Sequence, residues 1–107
     1  MIKLQKIIRK QKLRAFEKQL LSIITERDTT ISEFIEMLEK HQFLFTSNHL
    51  DLQFFDEQMF CYKNAQNSLC KYYDEEAEEK SKIYVCDVAT IMMYTKIHRM
   101  LNKERNL

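Results

Sequence analysis

Apolar residues recur every three or four positions along most of this chain, which is the spacing of a helix face and not of a strand. In the first half, Ile24, Ile31, Leu38 and Phe45 keep an unbroken seven-residue spacing. Such a repeat is typical of helices that pack along a seam. The pattern predicts one helix from about residue 2 to about residue 45.

One local signal competes with that continuity. Thr30 is followed three positions later by Glu33, the arrangement of a capping box, which would start a new helix there. The seven-residue spacing crosses this site without a shift in phase. We therefore expect the helix to continue through it.

The chain is expected to reverse direction at residues 46–51. Thr46, Ser47 and Asn48 are small polar residues that supply both a helix stop and an N-cap. Asp51 would fall in the first turn of the next helix, where a carboxylate interacts favourably with the helix dipole.

Helical spacing resumes in the second half. A helix from about residue 52 to about residue 105 is predicted, and it includes the acidic run at residues 74–80 as an exposed stretch of strong helix formers. Residues 83–94 are rich in β-branched side chains, which suits a strand. Tyr84, Val88 and Ile91 nevertheless step by three or four, and no second strand is available for pairing, so helix is favoured.

Composition supports an all-α fold. The chain has 107 residues and contains neither Gly nor Pro, which disfavours tight strand hairpins and glycine-rich phosphate loops. We predict a single domain, 1–107, formed by an antiparallel two-helix coiled-coil hairpin. The alternative is a compact bundle of three or four helices, because 41 large apolar residues exceed the roughly 30 that a two-helix seam of this length would use.

Charge is unevenly distributed along the chain. Residues 1–18 carry seven basic side chains and one acid, and residues 94–107 carry a net charge of +3. The region from Glu26 to Asp87 carries −8. A hairpin would therefore bring two basic ends together, and a basic amphipathic helix can bind nucleic acid, an anionic membrane or an acidic protein groove.

No catalytic or metal-binding motif is present. His41 and His49 stand apart from other candidate ligands, as does His98, and the spacing of Cys61, Cys70 and Cys86 matches no zinc site. The cysteines are interpreted as small core residues of a reducing compartment. We expect a cytoplasmic protein that is not an enzyme and uses no metal or cofactor.

Aromatic residues concentrate at the predicted turn. Phe43, Phe45, Phe54 and Phe55 flank it on both sides. They are expected either to form a thick core that holds the turn or to present a contact surface at the hairpin tip.

The sequence resembles the FliJ/YscO family of type III secretion stalk proteins. The likeness rests on the opening segment, residues 1–14 (MIKLQKIIRKQKLR), on residues 49–59 and 65–69, and on the absence of Gly and Pro. The abundance of Phe, Tyr and Met, together with three Cys, departs from the family, which is rich in Gln and charge.

The resemblance implies a specific role. Members are α-helical hairpins similar to the central stalk of rotary ATPases, and their terminal end sits at the pore of a hexameric secretion ATPase. They also contact the export gate and export chaperones, on the cytoplasmic side of a membrane apparatus, with membrane contact only peripheral. The residues expected at the ATPase are Lys3, Lys6, Arg9, Lys10, Lys12, Arg14, Arg99, Lys103 and Arg105.

The residues are also compatible with two other functions, one of which the charge disfavours. A small helical secretion chaperone or adaptor would bind a partner through the surplus apolar surface. A nucleic-acid binder is disfavoured, because the net charge is only +1 and the centre of the chain is acidic.

Overall fold

Helices are the only regular secondary-structure elements in the part of the protein that the structure describes. A computed structural model describes the backbone of residues 2–72 and 84–105 and the side chains of residues 3–67 and 84–103. The helices are α1 (Ile2–Glu26), α2 (Ile31–Lys40), α3 (His49–Tyr72) and α4 (Asp87–Arg105), with a 3-10 turn at Gln42–Phe45. The predicted all-α class is confirmed.

The chain divides into two compact units where the sequence predicted a single hairpin domain. The terminal unit contains Met1–Arg27 and Cys86–Leu107, and the central unit contains Asp28–Val85. The acidic run at residues 74–80, expected to be an exposed helix, lies outside the described residues.

The terminal unit is an antiparallel pair formed by α1 and α4. Glu17 contacts His98 at 2.9 Å, and Arg27 contacts Asp87 at 3.2 Å. The residue number rises along α1 while that of its contact in α4 falls, so the two helices are antiparallel. The predicted juxtaposition of the two chain ends is confirmed for this unit.

The core of the terminal unit comes from one face of each helix. Its members recur every three or four residues, as helical packing requires. They are Leu13, Phe16, Leu20 and Ile23 of α1, and Ala89, Met93, Ile97, Met100 and Leu101 of α4. Thr90 is also buried, and its hydroxyl donates to the Cys86 carbonyl at 3.3 Å, which satisfies the polar group.

The prediction of one helix over residues 2–45 is wrong. α1 ends at Glu26, and α2 begins behind a complete capping box at Thr30. The Thr30 hydroxyl accepts from the Glu33 N–H at 3.1 Å, and the Glu33 carboxylate accepts from the Thr30 N–H at 3.3 Å. The first backbone N–H groups of a helix have no acceptor within the helix, and these two bonds satisfy N–H groups at the start of α2. They therefore stabilise a new helix at this site, although the seven-residue spacing of apolar residues continues across it.

The central unit contains a second antiparallel pair, α2 and α3. Gln66 donates to the Ser32 hydroxyl at 2.6 Å, Lys63 contacts Glu39 at 3.3 Å, and the Tyr62 ring packs against a core aromatic of α2. The buried apolar residues of this unit are Ile31, Phe34, Ile35, Leu38, Leu44, Phe45, Phe55, Met59 and Tyr62, and Asp51 is buried as well.

The predicted reversal at residues 46–51 is confirmed, and Asn48 is the cap. Its side-chain Oδ1 accepts from the N–H groups of Leu50 at 2.9 Å and Asp51 at 3.2 Å. Its carbonyl accepts from the Leu52 N–H at 3.0 Å, which begins the helical ladder of α3.

The prediction of one helix over residues 52–105 is also wrong. Tyr84 forms an isolated antiparallel bridge with Thr30, and the Val85 N–H donates to the Thr29 carbonyl at 3.0 Å. Helix α4 begins only at Asp87. The partner that sequence reasoning did not find is Thr30, whose backbone is extended because it caps α2. Among the described residues of this stretch, pairing is limited to one isolated bridge and does not form a strand.

Candidate docking surface at the paired termini

The basic residues predicted to bind a partner fall on both helices of the terminal unit. Lys3, Lys6, Lys12 and Arg14 are exposed on α1, whereas Arg9 and Lys10 are partly buried. On α4, Arg99 and Lys103 are exposed. Arg105 ends α4, and its side chain lies outside the described residues.

Antiparallel pairing brings the two basic segments to the same end of the terminal unit. From the contact between Glu17 and His98, each step back along α1 corresponds to a step forward along α4. Arg14 therefore lies about level with residue 101, between Arg99 and Lys103. This placement requires α1 and α4 to pack together, and their register comes from the structure alone.

The division into units coincides with a division of charge. The terminal unit has twelve basic and four acidic side chains, a net charge of +8. The central unit has five basic and twelve acidic side chains, a net charge of −7. The net charge of the whole chain, +1, is thus the sum of a strongly cationic unit and a strongly anionic one. The electrostatic field of the cationic unit attracts anions.

Among the described residues of the terminal unit, four cationic side chains already make contacts within the protein. Arg27 pairs with Asp87, and Arg9, Lys12 and Lys96 each have a contact as well. The exposed pair Arg99 and Lys103 on α4 is therefore the clearest place to test docking without disturbing the packing of α1.

Sequence reasoning missed an apolar patch on α1. Ile7 and Ile8 are exposed, whereas Leu13 and Phe16 of the same helix are fully buried. Leu4 is exposed beside them. The signal is present in the spacing: Leu13 lies five positions after Ile8, which is out of phase with a 3.6-residue turn.

The aromatic residues at the predicted tip have different environments. Phe45 and Phe55 are buried, and their ring centroids lie 4.8 Å apart. Their predicted role as a partner-binding surface is wrong, because they form the core that holds the turn. Phe43 is half exposed and stacks on His41, and Phe54 is partly buried.

The cysteines were expected in the core, and that expectation is wrong for two of them. Cys61 and Cys86 are exposed. Cys61 lies on an exposed face of α3, and Cys86 directly precedes α4. The Cys70 side chain lies outside the described residues.

Two of the three histidines make side-chain contacts. His41 Nδ1 lies 2.7 Å from the Met37 carbonyl one turn earlier, and His98 Nδ1 lies 2.9 Å from Glu17 of α1. Within residues 3–67 and 84–103, His, Cys, Asp and Glu side chains form no group of three or more that could hold a metal ion.

None of the described helices has an apolar stretch long enough to cross a bilayer. Comparison with known proteins adds no assignment: no family model matches the chain, and no curated protein or solved structure is significantly similar to it.

Proposed function

We propose that this protein binds a partner and does not catalyse a reaction, and that its binding end is the paired, basic end of the terminal unit. The observation that carries the proposal is the antiparallel packing of α1 on α4, which collects cationic side chains from both chain ends. An acidic site on a larger assembly is the complementary partner. Such charge complementarity gives orientation and a fast association rate more than raw affinity.

The partner we propose is the hexameric ATPase of a type III secretion apparatus. This step rests on the likeness of residues 1–14, 49–59 and 65–69 to stalk proteins of the FliJ/YscO family. The basic end would seat at the ATPase pore and stimulate turnover, with the export gate and export chaperones as further partners. In this proposal the α1–α4 pair is the coiled-coil element of the stalk.

Stimulation of the ATPase by charge-reversed variants tests this proposal. Arg99→Glu with Lys103→Glu should raise the concentration for half-maximal stimulation about tenfold or more, because both side chains are exposed at the basic end. Lys40→Glu with Lys63→Glu is the matched control in the central unit, since it changes the net charge by the same amount. Both lysines are exposed and make only surface ion pairs.

Circular dichroism should show the same helicity for both variants. Equal loss of stimulation in the two variants would reduce the effect to net charge and remove the assignment to the basic end. An unmodified protein that leaves the ATPase rate unchanged at saturating concentration would contradict the ATPase as partner.

An adaptor or chaperone is the second candidate, and the central unit favours it. Phe60 is 68% exposed, Leu50 is 69% exposed, and Phe43 is half exposed. Exposed apolar side chains of this size are typical of surfaces that meet another protein. Sedimentation that shows a compact dimer, returned to monomer by Leu50→Ser with Phe60→Ser, would support this function over the stalk.

A further inference from the structure

Helix α1 has two apolar faces that point in different directions. Leu13, Phe16, Leu20 and Ile23 are buried in the core of the terminal unit. Leu4, Ile7 and Ile8 form a second face, which we call the outer patch, and are 60%, 53% and 41% exposed. At about 100° per residue, the outer patch lies roughly 150° around the helix from the buried face.

The outer patch is surrounded by positive charge. No acidic residue occurs before Glu17, whereas the same segment contains six basic residues. Helical geometry places Lys3 and Arg14 beside the patch on one side and Lys12 on the other. All three side chains are exposed.

We propose that the first four turns of α1 lie on the surface of an anionic lipid bilayer, with the outer patch inserted among the acyl chains and the flanking basic residues at the headgroups. An interfacial helix combines these features: a short apolar strip, basic residues at its borders and no acid. Long lysine and arginine side chains can place their aliphatic stems along the strip while their charged ends reach the phosphates.

Lipid suits this surface better than the other anionic partners do. A nucleic acid would bind the basic residues and leave Leu4, Ile7 and Ile8 in water. A helix bound in a protein groove continues its apolar anchors over successive turns, but the next positions on this face are Gln11, Ala15 and Lys18. A bilayer accepts a short convex strip because lipids rearrange around it.

Binding of the full chain to lipid vesicles tests the proposal. The unmodified protein should sediment with vesicles of phosphatidylcholine that contain a minor fraction of phosphatidylserine, and not with vesicles of phosphatidylcholine alone. Lys3→Glu with Arg14→Glu should weaken the binding at least about twentyfold, since each basic side chain near an anionic surface strengthens binding about fivefold.

The apolar contribution is tested separately. Leu4→Gln, Ile7→Gln and Ile8→Gln together keep every charge, and should weaken binding to the anionic vesicles about tenfold or more. Leu50→Gln with Phe60→Gln removes apolar side chains of the central unit that are more exposed than those of the outer patch, and should leave vesicle binding unchanged. The triple variant keeps every basic side chain of the proposed ATPase contact, so it should still stimulate the ATPase.

Fluorescence gives a direct measure of insertion. The chain contains no Trp, so Leu4→Trp provides a single reporter in the outer patch and Phe60→Trp provides one in the central unit. The emission of Leu4→Trp should shift to the blue on addition of anionic vesicles, and that of Phe60→Trp should not shift.

Three results would overturn the proposal. The first is equal binding of the unmodified protein to both kinds of vesicle, or no binding to either. The second is unchanged binding by the apolar triple variant. The third is binding to polyglutamate or duplex DNA that competes with vesicles and does not depend on the outer patch, which would reassign the surface to a purely electrostatic partner.

Discussion

Arg27 and Asp87 form an ion pair of 3.2 Å that joins the residue following α1 to the first residue of α4. Arg27 has a φ of 59°, in the left-handed region that a residue with a Cβ rarely adopts. Its N–H donates to the Ile23 carbonyl at 3.0 Å, which satisfies an acceptor at the end of the helix. In a chain that contains no glycine, an arginine therefore occupies the left-handed position that follows α1.

Substitutions at Arg27 should distinguish the energetic cost of its positive φ from the stabilisation provided by its ion pair with Asp87. Arg27→Val should lower the free energy of unfolding by about 1–2 kcal/mol, because a β-branched residue resists a positive φ. Arg27→Gly should change it by less than about 0.5 kcal/mol, since the relaxed backbone offsets the loss of an exposed ion pair. Urea unfolding measures both. Equal losses for Val and Gly would show that the side chain matters and the backbone does not.

Removing the cap of α2 should destabilise the protein. Thr30→Ala should lower the free energy of unfolding by about 1 kcal/mol, because the Glu33 N–H loses its acceptor, and Thr30→Ser should retain most of the stability. Thr25→Ala is the matched control: Thr25 is exposed within α1, and its hydroxyl only donates back to the Leu21 carbonyl. That control should be neutral or slightly stabilising, as alanine favours the helix.

Phenylalanines near the turn should differ sharply in their effect on stability. Phe45→Ala should cost about 3–5 kcal/mol, because it leaves a cavity beside Phe55. Phe60→Ala removes an exposed ring of the same size and should cost less than about 0.5 kcal/mol. Thermal and urea unfolding of the two variants make the comparison. Similar losses would mean that the two rings have similar environments.

The register of α1 against α4 can be checked through Glu17 and His98. A double-mutant cycle with Glu17→Ala and His98→Ala should give a coupling energy of about 0.5 kcal/mol, reduced by the partial exposure of both groups. The same cycle with Glu17→Ala and Arg99→Ala should give none, because Arg99 is the next residue and points to solvent. Coupling to Arg99 in place of His98 would indicate a different register.

The rate of reaction with a thiol reagent should show that Cys61 and Cys86 are exposed. In a Cys70→Ser variant, Cys61 and Cys86 should both react with a thiol reagent in the native protein about as fast as in urea, because both side chains are exposed. A rate that is much slower in native buffer would restore the interpretation of these residues as part of the core.

Several features of the fold could be read from neighbouring residues in the sequence. An N-cap among Thr46, Ser47 and Asn48 could be predicted, because the bonds that make Asn48 the cap reach only two and three positions ahead. The capping box at Thr30 was equally visible, but the seven-residue spacing of Ile24, Ile31 and Leu38 predicted a continuous helix across it. That spacing shows which positions face a core, and it does not show that the helix between them is continuous.

The candidate site could be predicted only in part. The basic residues of α1 and α4 were identified from their charge, whereas the outer patch was not, because its exposure depends on which face of α1 packs against α4. The bridge from Tyr84 to Thr30 joins residues more than fifty positions apart. No pattern within either segment indicates such a pairing.

The sequence by itself determined the helical character, the reversal at Asn48 and the basic chain ends, because each depends on residues within a few positions of one another. Only the tertiary structure decided where α1 ends and where α4 begins, which aromatic rings are buried, and which face of α1 remains exposed. Those outcomes depend on what packs against each residue, and the packing partner is supplied by a distant part of the chain.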